Sequence, residues 1–137
     1  MKLSYRLNIF FLGLLLISIN SFGQCKADEC LSKITSGYTF LKTYQMENLE
    51  AQAEYSYVFS KETNYMLSVC NKNGNSDNIE VTFCDAQRKE IASNFDKKTG
   101  KFYPAIAYNC KATGIYYLKF SFKENAGCCV SVLSFKK

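Results

Sequence analysis

The stretch Gly114-Ile115-Tyr116-Tyr117-Leu118-Lys119-Phe120-Ser121-Phe122 decides the fold. Tyr116, Leu118, Phe120 and Phe122 share one parity, and Tyr117, Lys119 and Ser121 share the other. Successive side chains of an extended chain leave opposite faces, so this is a strand with one apolar face for a core. The same reading extends outward in both directions. Tyr38, Phe40, Lys42, Tyr44 and Met46 alternate with Thr39, Leu41, Thr43 and Gln45, before a mostly polar connection from Glu47 to Gln52. Ala53–Phe59 sets Tyr55, Tyr57 and Phe59 on one face, Asn64–Cys70 sets Tyr65, Leu67 and Val69, and Ile79–Cys84 sets Ile79, Val81 and Phe83. Glu90–Asn94 is a short candidate. Lys101–Cys110 sets Phe102, Ile106 and Tyr108 on one parity, and Pro104 demotes part of the run to an edge or bulge. Gly127–Phe135 is the last strand candidate, with a mixed pattern. Eight short strands with close turns predict a mostly β protein, a two-sheet antiparallel sandwich wired as a jelly roll or Greek key.

Two features precede the strands. Lys2 and Arg6 lead into an apolar run from Ile9 to Ile19, and Ser21-Phe22-Gly23 ends it with small residues at the −3 and −1 positions. That is the pattern of a secretory signal peptide over residues 1–23, cleaved after Gly23 to leave Gln24 first. The run is shorter than the roughly 20 apolar residues of a membrane span, so no stable insertion is expected after cleavage. Gln24 fits poorly as the small residue that a lipobox wants before Cys25. From Gln24 to about Ser36 the chain is polar, with Ala27, Cys30, Leu31 and Ile34 on one helical stripe and Gly37 as its stop. The expected organisation is residues 1–23 as signal, 24–52 as helix, first strand and connection, and 53–137 as the sandwich, with 24–137 a single domain.

All seven cysteines lie after the expected cleavage site: Cys25, Cys30, Cys70, Cys84, Cys110, Cys128 and Cys129. In an exported chain they are disulfide candidates, and the odd count leaves at least one without an intrachain partner. Cys128 and Cys129 are adjacent, so on a strand they serve opposite faces. The chain has no His and no Cys-x-x-Cys pair, which argues against zinc and dithiol redox chemistry. The expected sites include no metal and no cofactor.

Three further stretches carry a resemblance. They are Tyr55-Ser56-Tyr57-Val58-Phe59-Ser60-Lys61-Glu62-Thr63-Asn64-Tyr65, Ile79-Glu80-Val81-Thr82-Phe83-Cys84-Asp85 and Thr113-Gly114-Ile115-Tyr116-Tyr117-Leu118. In that order they resemble the small secreted jelly-roll sandwiches typified by the bacterial pre-peptidase C-terminal domain, over roughly residues 53–135. The resemblance implies a non-catalytic accessory or binding sandwich and transfers no functional residues.

Composition excludes several functions. The whole chain has 17 basic and 12 acidic residues and a formal charge of +5. Loss of Lys2 and Arg6 with the signal reduces this to about +3, short of the dense basic field of a nucleic-acid binder. The basic cluster Arg88, Lys89, Lys97, Lys98 and Lys101 is diluted by Asp85, Glu90 and Asp96 and reads as a solvated turn region. Without His, Ser-His-Asp and Cys-His catalysis is absent. The carboxylate pairs Asp28-Glu29, Glu47-Glu50 and Asp77-Glu80 leave one enzymatic alternative, a small secreted hydrolase working without His. Asn71, Asn73, Asn75 and Asp77 surround Gly74 with calcium-loop spacing, but the loop lacks a bidentate Glu and reads as a turn. The expected function is therefore a secreted or periplasmic non-enzymatic binding module with a protein or glycan ligand. Tyr103, Tyr108 and Tyr117 fall off the clearest core parity or near Pro104, and they are the expected ligand-binding aromatics.

Overall fold

The computed structural model describes Cys25 and residues 27–46, 52–123 and 127–137. The expected signal segment, Gln24 and the Glu47-Glu50 pair lie outside these residues. A short helix α1 (Ala27–Leu31) precedes ten strands. They are β1 (Thr39–Met46), β2 (Gln52–Phe59), β3 (Asn64–Cys70), β4 (Ile79–Cys84), β5 (Glu90–Ser93), β6 (Phe95–Asp96), β7 (Lys101–Phe102), β8 (Ala105–Asn109), β9 (Gly114–Phe122) and β10 (Cys129–Lys136). Two four-stranded sheets are ordered β1-β10-β3-β8 and β2-β9-β4-β5, with every pairing antiparallel. Setting aside the small β6–β7 hairpin and renumbering the other eight strands in chain order, they run 1-8-3-6 in one sheet and 2-7-4-5 in the other. That order is jelly-roll wiring.

The predicted parities build the core. Phe59, Leu67, Val69, Ile79, Val81, Phe83, Leu118 and Leu133 are fully buried between the sheets. Phe59 stacks on Tyr65 at 4.0 Å and on Tyr116 at 4.9 Å, and meets Phe83 edge-on at 5.7 Å. Across the β1–β2 side, Tyr44 and Tyr55 approach to 4.8 Å. The Tyr44 hydroxyl is buried and has no hydrogen-bond partner among the described residues. Burial pushes its pKa up to about 12.

Three departures from the predicted strands have local causes. A register shift between Phe40 and Lys42 makes Leu41 a bulge. An extra residue inverts parity, so Phe40 leaves the Tyr44–Met46 face and is exposed. The run broken at Pro104 is two strands, β7 and β8, with β8 on a sheet edge and the Pro104 carbonyl accepting from the Val69 amide. The mixed pattern of the last strand reflects burial on both faces. Leu133 turns inward, while Val130 and Val132 pack with Cys25, Cys30, Ala27, Leu31 and Ile34 beneath the helix.

Two disulfides fix that cover. Cys25–Cys128 and Cys30–Cys70 tie both ends of the helical segment to the start of β10 and the end of β3. Cys84, Cys110 and Cys129 are buried free thiols, so these three are not bridge partners here. Cys128 and Cys129 do serve opposite faces, and burial pushes the Cys129 thiol up to about 12.

Asn94 replaces a missing strand residue after β5. Its Oδ1 accepts from the Val81 amide at 2.7 Å, and its Nδ2 donates to the Ile79 carbonyl at 2.9 Å and the Tyr103 carbonyl at 3.2 Å. It is 1% exposed. Asn94→Ala strands the β4 groups of Val81 and Ile79 away from water and is expected to cost about 3 kcal/mol in denaturant unfolding. Tyr44→Phe removes an orphaned hydroxyl and is expected to be neutral or to gain about 1 kcal/mol. Tyr44 stays protonated to a higher pH folded than unfolded. Its contribution is complete below pH 10 and is lost as pH rises towards 12, so Tyr44→Phe should also unfold less readily in that window. Removing the Cys30–Cys70 bridge by paired Ser substitutions should cost roughly 2–4 kcal/mol. Native alkylation should spare Cys84, Cys110 and Cys129 until the protein is denatured.

Candidate functional site

The two sheets differ in what covers them. The helical segment closes part of the outer face of β1-β10-β3-β8. The outer face of β2-β9-β4-β5 carries polar side chains in register. Gln52–Ser121–Glu80, Glu54–Lys119–Thr82 and Ser56–Tyr117–Cys84 form three rows across β2, β9 and β4, and Val58 lies opposite Ile115 in a fourth. A groove of about 470 Å³ lies on this face, lined by Gln52, Glu54, Glu80, Thr82, Lys119 and Ser121. The side chains of Gln52, Glu80, Thr82 and Ser121 make no hydrogen bond to another described residue.

Arg88 organises the face. Its Nη1 donates to both Glu54 carboxylate oxygens, at 2.6 and 2.7 Å, and its guanidinium stands 4.3 Å over the Tyr117 ring. Lys119 Nζ adds a 4.0 Å contact to Glu54. The hydrogen bonds from Arg88 to Glu54 raise the Arg88 pKa further. Arg88 sits in the β4–β5 turn with φ of 63°, a left-handed conformation that favours glycine or asparagine. In the same turn Asp85 accepts from the Gln87 and Lys89 amides, which fixes the loop that carries the arginine. Cys84 lies in the Tyr117 row yet is 2% exposed. Burial raises its thiol pKa, with Lys119 opposing. It is a protonated, weakly nucleophilic thiol at neutral pH.

The three predicted aromatics are not brought together. Tyr117 is on this face, under Arg88. Tyr103 is 49% exposed beside the β6–β7 hairpin. Tyr108 is half-buried and packs against the core instead of standing open on the surface. Its ring packs 5.7 Å from Tyr116 and 6.3 Å from both Phe59 and Phe83, because β8 turns that parity into the core.

The predicted acid pairs also separate. Glu80 lines the groove, while Asp77 belongs to the preceding loop. Asp28 and Glu29 lie on α1. The two carboxylates that share the groove are Glu54 and Glu80, from strands distant in sequence, and both Glu54 oxygens are taken by Arg88. The Asn71–Asp77 loop turns its oxygens inward. Asn71 Oδ1 accepts from the Asn73 and Asn75 amides, and Asn75 Oδ1 accepts from Asn71 Nδ2 and the Asp77 amide. Among the described residues no cluster of three or more Cys, Asp or Glu side chains is arranged to hold a metal ion. No helix of the described residues is long and apolar enough to cross a membrane.

No family model matches the chain, and no curated protein matches it in sequence. Solved structures do resemble it. One is the periplasmic inhibitor of g-type lysozyme from Aeromonas hydrophila, at 12% identity over 73% of this chain and 87% of that one, with a TM-score of 0.47. Another is the pre-peptidase C-terminal domain of a collagenase from Bacillus anthracis, at 21% identity over 69% of this chain and 88% of that one, also with a TM-score of 0.47. The second is a domain of the kind the sequence motifs resemble.

Arg88→Gly relieves the left-handed backbone and removes a solvent-screened ion pair. The melting temperature is expected to hold or rise, as scanning calorimetry would show. A fall of several degrees would make Arg88 a structural clamp instead of a surface group.

Proposed function

We propose that the protein is an exported, non-enzymatic binding module that recognises a partner protein through the outer face of β2-β9-β4-β5. One observation carries this reading. Val58 and Ile115 are 59% and 48% exposed, directly opposite one another, and adjoin the Tyr117–Arg88 pair and the polar groove. Exposed aliphatics, an Arg–Tyr pair and a rim of uncommitted hydrogen-bonding side chains are the composition of a protein interface. A glycan would favour an open aromatic ring for stacking, and here the guanidinium of Arg88 covers the Tyr117 ring. Two disulfides suit the oxidising compartment that the expected signal implies. The hydrolase alternative is disfavoured because Arg88 already engages both oxygens of one of the two groove carboxylates.

The test is capture from the exported fraction of the source cells. Wild type is compared with Val58→Lys/Ile115→Lys and, as a control on the covered side, with Asp28→Lys. The double variant should lose about tenfold or more in affinity for a captured protein, while the control keeps it. Equal binding by all three would reject the face. Hydrolytic turnover abolished by Glu80→Gln would reject the non-enzymatic reading.

A further inference from the structure

We propose that β2 is a docking edge for an extended, acidic and β-branched segment of the partner, which adds to the sheet as an antiparallel strand. This deepens the face reading above and rests on it. The four sheet edges are not equal. β5 has four residues and a register shift, and β8 follows Pro104 beside the β6–β7 hairpin. β1 carries the Leu41 bulge and an exposed Lys42. Bulges, short strands, proline and lysine are the usual protections of an edge. β2 has none of them. It pairs with β9 through all eight residues without a shift, and its single charge, Glu54, is engaged by Arg88.

Side-chain sites lie on both sides of that edge. Outward, Val58 and Ile115 are exposed. A cleft of about 540 Å³ opens at the β1–β2 side, lined from the inward parity by Leu41, Tyr57, Tyr65 and Phe135, with Val58 at its outer rim. An added strand sends alternate side chains to opposite faces, so one set would cover Val58 and the other would enter the cleft. The turn beside the cleft holds Glu62 at φ of 61°, a conformation uncommon for a non-glycine residue.

Charge and register choose the occupant. Lys61 and Lys137 line the cleft with Glu62 as the one acidic side chain there, and Lys42, on the neighbouring edge, holds its Nζ 5.2 Å over the Tyr44 ring. None of these three lysines has a carboxylate within 4.0 Å among the described residues. An acidic segment complements them. A second copy of the chain fits poorly. Antiparallel self-pairings of β2 that keep the outward faces together and pair five residues or more set Val58 opposite Gln52, Glu54 or Ser56, none of them aliphatic, and the register that sets Val58 opposite itself pairs only residues 57–59 of each strand.

The probe is a fluorescein-labelled octapeptide, Asp-Asp-Val-Leu-Ile-Thr-Val-Ser, whose N-terminal acids meet Lys61 in the antiparallel sense. Its control has proline at alternate positions. Anisotropy should show binding of the first alone, and amide exchange should slow across residues 52–59 without a matching change in β4. Val58→Lys and Lys61→Glu should each weaken binding about tenfold. Both positions are at the surface, so the variants should fold, and their melting temperatures check that. No binding, equal binding of the proline control, or unchanged exchange in residues 52–59 overturns strand addition. Tighter binding of a peptide with the sequence of Gln52–Phe59, together with dimers in sedimentation, also overturns it in favour of a second copy. If Val58→Lys/Ile115→Lys still weakens a captured protein while β2 exchange is unchanged by that protein, the face reading stands and the strand reading fails. If neither the peptide nor a captured protein responds to these variants, both fail.

Discussion

The outer face of β10 is the constraint on which the rest depends. Val130 and Val132 turn away from the inter-sheet core and are nonetheless fully buried. Burying a valine side chain contributes about 2 kcal/mol, and exposing this pair would leave a central strand bare on one side. The cover is a helix of five residues, too short to persist alone. Two disulfides hold it in place, one at each end, and they convert a polar N-terminal segment into part of the fold. One consequence follows for function. The sheet under the helix is partly closed, and the opposite sheet keeps an open outer face.

The open face is built with the same economy of long-range contacts. Its central pair joins Glu54 on β2 to Arg88 in the turn after β4, and both side chains are substantially exposed. Such a pair adds little to stability in water. Its effect is positional. The arginine is held over Tyr117, and the hydroxyl and amide groups of the groove beside it make no hydrogen bond to another described residue. The polar groups that do stabilise lie elsewhere. Asn94 satisfies β4 where β5 stops, and Asn71 closes the loop that follows β3. These asparagines serve backbone geometry, and their oxygens are not displayed to a ligand.

The strands were legible because most face a core on one side only, as in Ile79–Cys84 and Gly114–Phe122. Legibility failed where that condition failed. β10 has no polar face, so its alternation disappears. The Leu41 bulge changes parity within an otherwise regular run, and nothing in the local pattern marks an extra residue. Tyr108 shares the parity of Ile106, and that parity is a better guide to its place than its nearness to Pro104, because β8 stays regular after the proline. The density of cysteines behind an expected export signal indicates a stapled protein, yet the pairing depends on how β3, β10 and the helix come together in space. Of the candidate site, Tyr117 was visible as an off-parity aromatic. Its partners were not, since Arg88 and Glu54 meet across 34 residues of sequence and have no local signature.

The uncovered sheet, with β2 at its edge, is the proposed recognition surface. Backbone chemical-shift mapping with a partner captured from the exported fraction tests this most directly, because it reports every element of the sandwich at once. The account predicts that perturbed amides concentrate in residues 52–59 and 114–121 and in the Arg88 turn. Perturbations concentrated in the stapled helix, β3 and β10, or in the β6–β7 hairpin, would contradict it.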